Sequence, residues 1–305
     1  MTAAEREATT RRNMLIRRGM ALASKALGNL DKTGRDELAR VYRAASLEIG
    51  QAILARAEAD GSLALVQLRA LLSQIEARLD QLVVQRNVLL NDGLRVAAEL
   101  GVQPFLMVTV GAETLMRVPD EAVRFVQGFV AADGLQLSDR LWRIDRGARD
   151  AVVNAVERSV VMGQSASQAA REFLNRGQAV PFDVQQKLNA SGAIGVSKET
   201  AAIMTGDRSG GGAMAQAQRV FRTEINRAHG VAYMTQAEKT PGFIGFQFTL
   251  SPAHPEPDIC DDLAAADKFG LGKGMYPSMA EFLKIWPAHP NTLSAPVGKF
   301  EEPPA

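Results

Sequence analysis

Leu65, Leu68, Leu72, Ile75, Leu79, Leu82 and Leu89 follow one another at three- and four-residue steps, with Arg86 in one seam position. A strand sends successive side chains to opposite faces and cannot gather this spacing; a helix collects it into one stripe. The pattern therefore predicts a heptad-bearing helix at about residues 60–100, weakened or ended by Gly93, Gly101 and Pro104. Its apolar seam has to be covered, either by a helical hairpin within the chain or by a coiled coil that self-associates through the 65–89 stripe.

The same period runs through most of the first two thirds of the chain. Residues 12–58 read as helical with a break near Gly28–Gly34, and a further helix is expected to start with Pro119 in its first turn, followed by Asp120 and Glu121. Another begins near Ser138 and stops around Gly163, where Ser165 and Gln168 form a capping-box signature for a new start. Abundant Ala and Leu, with aromatics at only 6%, favour helices over sheets. Gly177, Pro181, Gly192, Gly195 and the run Gly206-Asp207-Arg208-Ser209-Gly210-Gly211-Gly212 mark a change of character. They suggest a helical domain over 1–176, a Gly/Pro-containing connection over 177–212 and a small domain over 213–305. Within the last, 213–239 reads as a helix and 243–250 as a strand with Phe246 and Phe248 on one face. The proline-rich remainder is expected to be turns and short elements. The fold class is mainly α: an elongated helical N-terminal region plus a small α+β, turn-rich C-terminal domain.

Charge and cysteine usage narrow the function. The net charge of +1 supplies no global field toward nucleic acid. Residues 1–43 nevertheless carry ten Lys or Arg against five Asp or Glu, and 251–305 carry four against eight. Arg11, Arg12, Arg17 and Arg18 are thus candidates for contact with DNA phosphates or an acidic partner, the plainer reading being a solvated helix face. One cysteine, Cys260, excludes an intramolecular disulfide and a four-thiolate zinc site, and suits a reducing cytoplasm. No stretch approaches the roughly 20 apolar residues of a membrane span, and no apolar core of a signal peptide follows the N-terminal arginines.

Polar chemistry gathers in three places. Arg222-Thr223-Glu224 and Arg227 lie on the 213–239 helix, where Arg222 and Glu224 are expected to hold the C-terminal fold by a hydrogen-bonded ion pair. His254, Asp258, Cys260, Asp261 and, further on, His289 supply the ligand types that a divalent metal takes, with zinc completed by a carboxylate. Prolines beside both histidines equally suit rigid turns. A Cys260–His nucleophilic pair is disfavoured, because Asp258, Asp261 and Asp262 crowd the thiol and raise its pKa. Gly270, Gly272 and Gly274 read as a turn, since no strand-then-helix context surrounds them. The Gly206–Gly212 loop has no Lys-Ser or Lys-Thr after it and is a weak phosphate cradle.

In order and spacing these groups resemble the phage head morphogenesis family, minor head proteins similar to the gene F product of phage Mu. The matching residues are Arg222, Thr223, Glu224 and Arg227; His254, Pro255, Asp258, Cys260 and Asp261; Gly270 to Gly274 with Tyr276-Pro277; and His289, Pro290 and Asn291. The resemblance covers roughly residues 140–295. Thr292 and Ser294 stand where many members carry cysteines, and no metal or other cofactor is assigned. It implies a structural, non-enzymatic minor capsid protein of the virion head. Such a protein is made in the host cytoplasm, is associated with the portal protein and other capsid proteins, and is linked to double-stranded DNA or its ejection. A metal-dependent hydrolase or nuclease built on His254, Asp258 and His289 is the alternative.

Overall fold

Helix α1 runs from Ala3 to Leu54 without a break at Gly28 or Gly34. The computed structural model describes residues 2–108, 112–131, 133–207, 210–251, 257–289, 292 and 294–303, and of residues 112–115 it describes the backbone alone. The described chain is mainly helical, with helices α2 (Leu65–Val102), α3 (Ala112–Gly128), α4 (Leu137–Asn175), α5 (Phe182–Ser191), α6 (Ala193–Thr205), α7 (Gly212–Ala237), α8 (Ile259–Ala265) and α9 (Met279–Leu283). A small antiparallel sheet is ordered β2-β1-β3, from β1 (Phe243–Thr249), β2 (Met275–Tyr276) and β3 (Ala295–Phe300). Among the described residues no helix is long and apolar enough to cross a membrane.

Contacts divide the chain into two units. The first holds Met1–Arg35, Leu90–Ser138 and Arg219–Ala305; the second holds Asp36–Leu89 and Asp139–Gln218.

In the second unit, Leu38, Tyr42, Ile49 and Ile53 of α1 are buried, as are Leu71, Ile75, Leu79 and Leu82 of α2 and Val152, Val156 and Val160 of α4. The leucine stripe is therefore consumed inside the chain at its centre, whereas Leu65 at its start is 57% exposed. Arg86, the polar seam residue, is buried and pairs with Asp145 of α4, its Nη2 lying 3.0 Å from Oδ2. An arginine on a seam is tolerable only with such a counter-charge, since an unpaired buried guanidinium would be costly. The α1–α2 pair is a helical hairpin, joined through an Ala57–Leu63 bridge and tied by the Arg78–Glu48 ion pair.

Glycine was the misleading signal. α2 passes through Gly93 and Gly101, and α4 continues past Gly163 and the Ser165/Gln168 signature to Asn175. These glycines mark close approaches rather than ends. A Cβ on Gly34 would lie 2.1 Å from Phe221 Cζ, and one on Gly93 2.7 Å from Phe221 Cε2. At Gly163 the neighbour is Ser191, whose carbonyl accepts from Ser159 Oγ at 2.6 Å. Pro119 lies inside α3 instead of starting it, because the buried face of Val118, Ala122 and Val126 carries the helix through it. The 177–212 stretch holds two helices, α5 and α6, separated by Gly192 and closed by Gly206 at φ +88°. Their buried Val184, Val196 and Met204 are too few and too widely spaced for a clear period.

In the first unit, α7 is the central element. Gly101 brings α2 against it, a Cβ there falling 2.3 Å from the His229 carbonyl oxygen. Tyr233 packs on Phe105 and accepts from the Gly298 N–H of β3 at 3.0 Å. β1 pairs with both neighbours, Phe246 opposite Tyr276 and Gly298. Phe246 and Phe248 are both buried, against Phe282 of α9, which also meets Trp286. This aromatic cluster supplies the core that so few strands could not bury alone.

Candidate functional site

Residues 222–227 of α7 do not pair as the sequence suggested. Residues two apart on a helix point to different faces, so Arg222 and Glu224 cannot meet. Arg222 instead reaches Asp31 of α1, with Nη2 at 2.8 Å and Nε at 3.1 Å. Arg35 shares the same carboxylate, its Nε at 3.1 Å. Glu224 pairs with Arg227 one turn on, and the Arg227 guanidinium stacks 4.4 Å over the Phe129 ring. Thr223 donates back to the Arg219 carbonyl at 2.8 Å. All of these are fixed structural roles. Neither Asp31 nor Phe129 carried a local signal, because nothing in spacing links positions so far apart in sequence.

After β1 the chain reaches α8 by way of Asp258, its N-cap. The Asp258 Oδ1 accepts from the Cys260 N–H at 2.6 Å, while the Asp258 N–H donates to Asp261 Oδ2 at 2.8 Å. This reciprocal capping box satisfies backbone donors that the first turn would otherwise strand. It also fixes Asp258 Oδ2 at 3.1 Å from His289 Nε2. Cys260 is fully buried, and its Sγ lies 3.7 Å from the Thr292 hydroxyl. Thr292 and Ser294 are held in turn by α7, since Asn226 Nδ2 donates to the carbonyls of Thr292 at 3.1 Å and Ser294 at 3.4 Å. Trp286 Nε1 also donates to the Ser294 carbonyl, at 2.8 Å.

The outcome is that Asp258, Cys260 and His289 each present one ligand atom, and the three atoms lie within 4.8 Å of one another. Asp261 belongs to the cap. His254, Pro255, Pro290 and Asn291 lie outside the described residues. The Cys260 thiol is pushed up first by burial, with Asp258 adding to the effect and the Thr292 and Ser294 hydroxyls partly opposing it. Crowding by acids is thus the lesser cause; burial leads. Either way the neutral thiol is favoured, the opposite of what an activated nucleophile requires. Gly270, Gly272 and Gly274 form the turn into β2, where the Gly274 carbonyl accepts from Phe248 N–H at 2.8 Å.

A second feature of the first unit is a largely apolar cavity of about 470 Å³ beside Leu27, Asp31, Arg222 and His229. Among the described residues His229 Nε2 faces no hydrogen-bond partner; the atom is buried, and burial lowers this imidazole's pKa from 6.5 to about 4.

Of the N-terminal arginines, Arg17 pairs with Glu302, and Arg12 donates to Asn13 Oδ1 at 3.0 Å. Arg11 and Arg18 are exposed. In comparisons with known proteins, no family model, no curated protein and no solved structure matches this chain.

Proposed function

We propose that the chain is a structural minor head protein of a tailed bacteriophage, associated with the portal vertex or the capsid interior and linked to packaged DNA. One observation supports this reading most directly. The separated motifs that carry the resemblance, Arg222 to Arg227 on α7 and the Asp258, Cys260 and His289 group, belong to a single structural unit. Asn226, inside the first motif, binds the segment beside the second. Motifs that converge in this way suit a shared small domain better than scattered coincidence.

The roles of these residues also favour a scaffold over turnover. Arg222, Glu224 and Arg227 are occupied by ion pairs, and the buried cysteine is held neutral. Exposed Arg11 and Arg18 on α1 provide two positions for phosphate or an acidic partner, and the exposed end of the leucine stripe at Leu65 offers apolar surface for assembly.

Co-expression of the tagged chain with the portal protein of the same genome tests the reading. Retention of portal through washing at moderate salt supports it. Clean separation of the two proteins under all assembly conditions would reject portal association.

A further inference from the structure

We infer that Asp258, Cys260 and His289 form a binding site for one borderline-soft divalent ion of the zinc class. The inference goes beyond the virion reading and stands or falls without it. Three different donors, a carboxylate, a thiol sulfur and an imidazole nitrogen, lie within 4.8 Å of one another. Ligands around a tetrahedral ion sit at roughly 2.0–2.3 Å from its centre. Small side-chain rotations are therefore enough to bring all three to one point.

The scaffold supports this use. Asp258 spends Oδ1 on the Cys260 N–H and turns Oδ2 toward His289 Nε2, 3.1 Å away. A metal ion between them takes the place a proton would otherwise fill. Cys260 is fixed within the first turn of α8, and His289 arrives from the segment after α9. The ion would join these two segments.

Donor chemistry selects the ion. A sulfur and an imidazole favour zinc and its neighbours, whereas magnesium and calcium prefer all-oxygen shells. Charge balances as well: a thiolate and a carboxylate neutralise a doubly charged ion, and the imidazole adds none. Binding forms the metal–sulfur bond and releases the thiol proton to solvent. Asp258 is exposed, so water can complete the tetrahedron from that side.

The test is a titration of the full chain, freed of metal by chelator, with zinc, cobalt(II) and magnesium. The inference expects one equivalent of zinc per chain, a rise in melting temperature, and no response to magnesium. The cobalt form should show thiolate-to-metal charge-transfer absorption that Cys260→Ser abolishes. Cys260→Ser, His289→Ala and Asp258→Asn should each weaken zinc binding at least about tenfold. Asparagine also caps helices well, so the last variant removes the carboxylate while sparing the cap. Melting of each metal-free variant at the metal-free wild-type temperature shows that folding is retained. If a variant fails that check, the wild-type cobalt spectrum decides. Zinc binding no stronger than in the triple variant, or a cobalt complex without the thiolate band, overturns the inference.

Discussion

Glu224 and Arg227 form an ion pair inside the fold, one turn apart on α7, with side chains only 1% and 5% exposed. Burying two charges is repaid only when both stay. Arg227→Ala removes the Arg227 guanidinium from the buried Glu224 carboxylate and ends the stacking on Phe129. We expect a loss of about 3–5 kcal/mol in urea unfolding. The double variant Glu224→Met/Arg227→Met should cost less than either single alanine substitution, because it leaves no charge behind. A double variant as damaging as the sum of the singles would show that packing, not charge pairing, dominates here.

Asp31 gathers two arginines, and they are not equivalent. Both reach Asp31 through Nε and Nη2, but the Arg222 side chain is 18% exposed and that of Arg35 34%, and the shortest contact, 2.8 Å, is from Arg222. Arg222→Ala is expected to cost about 2–3 kcal/mol, as a lost charge-assisted hydrogen-bond pair does. Arg35→Ala should cost less, about 1 kcal/mol, because Arg35 is the more solvent-exposed of the two arginines and leaves Arg222 on the carboxylate. Equal effects in thermal or chemical melts would contradict the assignment.

Two helical glycines should respond with opposite signs. A Cβ at Gly101 would press to 2.3 Å from a backbone oxygen, which cannot rotate away, whereas at Gly28 it meets nothing within 4 Å among the described residues. Gly101→Ala is expected to destabilise by about 3 kcal/mol or more through overpacking. Gly28→Ala should stabilise by up to about 1 kcal/mol through helix propensity. Paired denaturation curves measure both.

His229 gives the fold a specific acid sensitivity. Its pKa falls from 6.5 unfolded to about 4 folded, because burial disfavours the imidazolium. Between those values the unfolded chain binds the extra proton, so stability is full above about pH 6.5 and drains as the pH drops toward 4. This single group accounts for at most roughly 3 kcal/mol. His229→Leu should flatten that part of the stability profile relative to wild type. An unchanged slope between pH 6.5 and 4 would remove His229 as the cause.

Periodicity made the long helices legible but not α5 and α6, and chemistry made the ligand types legible. The leucine stripe located α2 and the need to cover it, and the prolines after Thr249 kept the C-terminal elements short. What sequence could not supply was the neighbour. Gly34 and Gly93 read as breaks because only the position of Phe221 turns them into contacts. Arg222 found its partner in Asp31, 191 residues earlier, where no helical spacing could point. Asp258, Cys260 and His289 were recognisable as donors, yet their convergence is a tertiary relationship between segments some thirty residues apart that no local spacing announces.

A minor component of a phage head is found in the particles, so particle composition is the decisive measurement of the proposed function. Procapsids assembled from the structural genes of the parent genome would be purified by sedimentation, and their proteins quantified by mass spectrometry. This chain is expected to cosediment with the particles at a few copies each and to be lost when portal is omitted. Its complete recovery in the soluble fraction, with particles forming normally and lacking it, would rule out a place in the phage head.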